Sequence, residues 1–221
     1  MRRTFALVAA ALTVMMSVAL AAEQNFQQQQ METFRRHFAQ AQNNLANCKN
    51  TKRPADCSAI EKSLLDNART AVAVLRKWDT VEKKGDNQSS WAAKVEYYEV
   101  LVVRKQSVRD HWRLNVWNNA WSVEKYATAS TTGTWAKGEI ETAVSQRDGY
   151  CELDEDEPVC RAEWDSYRTA LERVIPASEK VNHARDIGDK DGYYDALVEE
   201  AKLQRDYVAI EAKLKIKYFP K

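Results

Sequence analysis

The sequence predicts an all-α fold: a six-helix array from two duplicated three-helix units, each with a disulfide-closed loop. Three observations carry this expectation. Glycine and proline are scarce, six and four among 221 residues, and alternating β-branched runs are lacking. Apolar residues recur at three- and four-residue steps through most of the chain. The four cysteines form two equally spaced pairs that coincide when the chain is slid by 103 residues.

The first segment reads as an export signal. Arg2 and Arg3 precede an apolar run, Phe5 to Leu20, broken only by Thr13 and Ser17. Ala19-Leu20-Ala21 is a small-x-small cleavage site, and the run is too short to span a bilayer. Residues 1–21 are therefore expected to be removed, taking the formal net charge from +1 to −1. No later run reaches spanning length, so no transmembrane segment is expected. A near-neutral chain has no field to gather nucleic acid, which argues against that partner. Together these features point to the bacterial periplasm.

The helices follow in order. Gln24 to Gln30 is a polar lead-in, either frayed helix or disordered arm. Met31, Phe34, Phe38, Ala41 and Leu45 mark the stripe of a helix ending near Cys48. Asp56 can cap the next helix, which carries Ile60, Leu64, Ala68, Ala71, Leu75 and Trp78 and stops at Gly85-Asp86. Ser89 or Ser90 starts a third, apolar on two sides, that runs past Trp121 toward Ala129, either unbroken or with a break at Asn118-Asn119. Helices over about Thr134–Arg147 and Ala162–Ile187 come next, the second kinked by Pro176. Gly188-Asp189 closes it, and a last helix spans Tyr193–Lys217. The expected division is a first unit over 22–130 and a second over 131–221, packed with the first.

Cysteine spacing selects the pairs Cys48–Cys57 and Cys151–Cys160, two local staples suited to an oxidising compartment. The 103-residue shift superposes both pairs. It also superposes Gly85-Asp86 on Gly188-Asp189, Lys77 on Lys180, and Val95-Glu96 on Val198-Glu199. These coincidences indicate an internal duplication.

The stapled loops differ in charge. The first encloses Lys49, Lys52, Arg53 and Asp56, a net of +2, and the second Glu152, Asp154, Glu155, Asp156 and Glu157, a net of −5. Rigid charged loops suit docking to a protein partner, or pairing of one copy's acidic loop with another's basic loop. They equally serve as solvated surface. The acidic loop is also a candidate for calcium, although Asp189-Lys190-Asp191-Gly192 fails the EF-hand pattern at its first and last positions and reads better as a helix cap. No zinc spacing, phosphate loop or haem motif is present, so no metal or cofactor is expected. Trp117, Trp121 and Trp135 form a second candidate site, since a row of exposed indoles would stack on cell-wall glycan; the same spacing suits an aromatic core. His111 and His183 are the candidate bases if the chain is an enzyme. The leading expectation is an exported helical interaction protein of the periplasm, acting as inhibitor, adaptor or chaperone through its charged loops. A tryptophan-faced glycan binder and an all-helical enzyme are the alternatives.

Overall fold

The computed structural model describes residues 26–115, 127–152, 154 and 156–219; the segment expected to be an export signal, Trp117, Trp121 and Glu155 lie outside them. The described residues form six helices and no strand. Helix α1 covers 26–47 and is followed by a single 3-10 turn, Cys48–Asn50. Then come α2 (Pro54–Lys83), α3 (Asn87–Leu114), α4 (Thr132–Cys151), α5 (Glu157–Asp186) and α6 (Lys190–Tyr218). Among the described residues no helix is long and apolar enough to cross a membrane.

Each unit is a helix, a stapled loop, a long helix, a tight turn and a second long helix. In the first, Met31 and Phe34 of α1 pack with Ala68, Leu75 and Trp78 of α2 and Tyr97 of α3. In the second, Ala136 and Ala143 of α4 pack with Trp164, Leu171 and Val174 of α5 and Tyr207 of α6. Burying side chains of this size contributes about 1.5–3 kcal/mol each. The units meet through corresponding helices, α3 against α6. Val95 and Tyr98 of α3 reach the second core, and Val108 and Trp112 pack on Tyr193 and Tyr194.

The duplication recurs in atomic detail. Both staples are closed, with Cα–Cα distances of 5.5 Å, and all four cysteines are buried. Loops this short are each worth roughly 2–3 kcal/mol on the chain-entropy model. Gly85 and Gly188 take positive φ, 71° and 73°, the left-handed conformation that ends a helix without a Cβ clash. The next residue caps the following helix in both units: Asp86 accepts from the Ser89 N–H and Asp189 from the Gly192 N–H, each at 3.0 Å. Lys77–Glu96 and Lys180–Glu199 are equivalent cross-helix ion pairs, at 2.7 and 3.1 Å.

Several expected boundaries are corrected. Residues 26–30 are helical rather than frayed, because Gln27 is fully buried and donates to Glu82 of α2. Asp56 lies inside the first turn of α2, paired with Arg53 at 2.7 Å; Pro54 opens the helix, where its missing N–H is no loss. Asp86, rather than Ser89 or Ser90, sets the start of α3. That helix stops at Leu114, where Asn115 turns left-handed (φ 43°), and does not continue to Ala129, since 127–131 are non-helical. There Asn182 clamps the backbone of Ser130: its amide accepts from the Ser130 N–H (2.9 Å) and donates to the Ser130 carbonyl (3.0 Å). The Ser130 hydroxyl reaches Glu200 and Ser178. Helices α4, α5 and α6 begin earlier than their apolar stripes; Pro176 lies inside α5, as its place in the apolar pattern indicates.

Candidate functional site

Both charged loops are held outward by their buried disulfides. Lys49, Lys52 and Arg53 are exposed, as are Glu152, Asp156 and Glu157. Their charges are partly answered locally. Arg53 pairs with Asp56; Glu157 pairs with Arg161, which also holds Asp148; and Asp154 accepts from the Asp156 N–H at 2.9 Å. No three acidic, histidine or cysteine side chains converge as a metal site among the described residues.

Of the three indoles considered for glycan stacking, only Trp135 is described. It is 43% exposed and tilts over the Tyr207 ring at 5.2 Å. Trp112 stacks on Tyr194 at 6.2 Å, joining the units.

The two candidate bases have different surroundings. His183 lies in an open groove with Lys180, Asp195 and Glu199. Those carboxylates are engaged elsewhere, Glu199 by Lys180 and Asp195 by Arg113 at 2.6 Å. His111 instead lines a cavity of about 180 Å³ inside the first unit. Three helices build it: α1 supplies His37, Gln40 and Asn44, α2 supplies Glu61 and Leu64, and α3 supplies Arg104, Val108, His111 and Trp112. Gln40 is exposed and stands at its edge.

Glu61 anchors this cavity. Its side chain is 0% exposed, and Oε1 accepts from the Asn44 amide at 3.1 Å. Nδ1 of His111 lies 3.4 Å from the same oxygen, within ion-pair reach but not aligned for a hydrogen bond. Burial, with Lys190 nearby, holds the His111 pKa below its ordinary value. His37 is lowered further, to about 4, by burial and then by Arg104, Arg36 and Lys105. Both imidazoles are therefore neutral at pH 7, each with one donor and one acceptor nitrogen. Arg104 lays its guanidinium 5.3 Å over the Phe34 ring, and its Nη1 is shut from solvent without a hydrogen-bond partner. The cavity brings together two neutral imidazoles, one carboxylate, one cation and an apolar wall of Ala41, Leu64 and Val108.

The second unit is an internal control for this arrangement. Shifted by 103 residues, Glu61 falls on Trp164, Leu64 on Tyr167, Arg104 on Tyr207, His111 on Leu214 and His37 on Ile140. Those five pack together in the second core, with Trp164 1% exposed. The same place in the fold is a filled aromatic core in one unit and a polar cavity in the other.

Only His111 of this cluster was singled out by sequence. His37, Glu61 and Arg104 come from three separate helices, and no local pattern links them. The repeat itself was the available signal, because it sets charged residues against Trp164 and Tyr207.

The chain matches no protein-family model, no curated protein and no solved structure.

Proposed function

We propose that this is an exported periplasmic binding protein whose ligand enters the cavity between α1, α2 and α3. The observation that carries this reading is the contrast between the units. Burying the Glu61 carboxylate, and half-burying the Arg104 guanidinium, where an aromatic core fits is unfavourable. Polar groups held against stability in a concave pocket are the signature of a site. The second unit then serves as scaffold, bracing α3 through α6.

Leu64→Tyr tests the reading, because it places in the first unit the residue that fills the second. A small-molecule fraction from the source cell envelope should raise the melting temperature of the wild type and leave that of a folded Leu64→Tyr variant unchanged. Equal shifts in both proteins, or none in either, would count against the cavity.

The outward charged loops favour a second reading, docking of a protein partner. Lys49, Lys52 and Glu152 are exposed and make no ion pair among the described residues. Reversing Asp154 and Asp156 to lysine should abolish salt-sensitive capture of one defined envelope protein; unchanged capture would remove the idea. The same reversal in sedimentation runs tests self-association of basic with acidic loop.

A further inference from the structure

We infer that the ligand of the first-unit cavity is a short aliphatic carboxylate, received by Arg104; this rests on the cavity being a binding site at all. The inference begins with the charges. Among the described residues Arg104 makes no ion pair; its guanidinium lies over the Phe34 ring, and its electrostatic neighbours are Tyr97, His37 and Lys105, none of them a carboxylate. A half-buried cation with one donor nitrogen shut from solvent and no counter-ion is costly, and the guanidinium fork matches a planar carboxylate through two parallel N–H bonds. Arg36 and Lys105 add positive charge beside His37, against the single negative charge of Glu61 in the same cavity.

The acidic member of the cavity does not compete for this role. Glu61 is held on Oε1 by Asn44 and approached there by His111. It stands on α2, while Arg104 stands on α3 and the two form no ion pair among the described residues. Neutral His37 adds a donor that a carboxylate can accept from. The size of the space suits a small molecule. About 180 Å³ holds roughly six water volumes at ~30 Å³ each, and its apolar side is Ala41, Leu64 and Val108. A two- to four-carbon tail would meet that wall while its head group faces Arg104.

The chain carries three histidines, which supply the assay. His37 and His111 line the cavity; His183 lies in the open groove of the other unit. Imidazole NMR signals of the full mature chain would be followed during titration with propionate, propionamide, propylamine and inorganic phosphate. Propionate should move the His37 and His111 signals saturably and leave His183 in place. Arg104→Met should weaken its binding about tenfold or more, as expected for losing a charge-assisted hydrogen bond. Glu61→Gln keeps an oxygen for Asn44 while removing the negative charge, and should tighten propionate binding, a sign of change that general damage to the fold would not produce. Should propionamide or propylamine move those signals and propionate not, the cavity binds a ligand and the carboxylate assignment fails. Binding of phosphate in preference to propionate would overturn the planar head group. Equal propionate binding by Arg104→Met would remove Arg104 from the role. Silence from every probe would count against both this inference and the proposed function.

Discussion

Arg104→Met should stabilise the protein, and the size of the gain follows from its surroundings. The guanidinium has a donor, Nη1, closed off from solvent with no acceptor. Leaving such a donor unsatisfied costs about 1–3 kcal/mol. Against this stands the contact with the Phe34 ring, worth about 0.5–2 kcal/mol for a partly desolvated cation over an aromatic face. Methionine keeps the unbranched stem and restores part of that contact through sulfur, about 0.3–1.5 kcal/mol. The balance is a gain of about 1 kcal/mol, or roughly 2–4 °C in melting temperature for a chain of this size. Guanidinium-chloride unfolding with both disulfides intact measures it, with an unchanged m-value showing that the same surface is exposed. A loss greater than about 1 kcal/mol would refute the reasoning. It would show Arg104 to be a structural strut between α3 and α1 rather than a cation kept available in a cavity.

Three further predictions concern the frame around the site. The His37 pKa is about 4 in the folded chain and about 6.5 unfolded, so the native state binds fewer protons between these values. The stability contributed by neutral His37 is fully present above pH 6.5 and is lost as pH falls toward 4. The full shift corresponds to about 3 kcal/mol, which solvent around a half-buried ring screens to about 1–2. The wild type should lose that much more than His37→Gln between pH 7 and pH 4, read from denaturant midpoints; identical profiles would contradict the assignment. Asn182→Ala removes two hydrogen bonds to the Ser130 backbone and should lower stability by about 2 kcal/mol at ~1 kcal/mol each, with faster amide exchange at Ser130. Gly85→Ala and Gly188→Ala, each forcing a Cβ into a left-handed turn, should lower stability by a similar amount, about 1 kcal/mol; a loss confined to one would mean the two turns are not equivalent.

What could be read from sequence was set by range. The staples, the glycine–aspartate turns and the Asp189 cap depend on residues within about ten positions of one another, and composition alone marks them. The end of α3 was misread because its apolar pattern continues through Trp117 and Trp121. What stops the helix is Asn115 turning left-handed, while Asn182, far along the chain, holds Ser130 in the connection beyond. Gln27 looked like a solvated arm since nothing nearby shows that Glu82 waits for its amide. The cavity was hidden for the same reason: His37, Glu61, Arg104 and His111 each look like ordinary surface residues on an amphipathic helix. Only the alignment of the two units exposes them, since a residue opposite Trp164 or Tyr207 stands on the inward side of its helix.

The pairing of α3 with α6 has a consequence for mass action. Two separate units meeting through this surface would part on dilution, and any site in one would exist twice. Joined in one chain, the halves hold each other at a concentration fixed by the connection rather than by the amount of protein present. The unfolding midpoint should therefore not move with protein concentration. Covalent fusion also releases the two halves from having to be identical, so one can keep a filled interior while the other carries a single vacancy lined with charge.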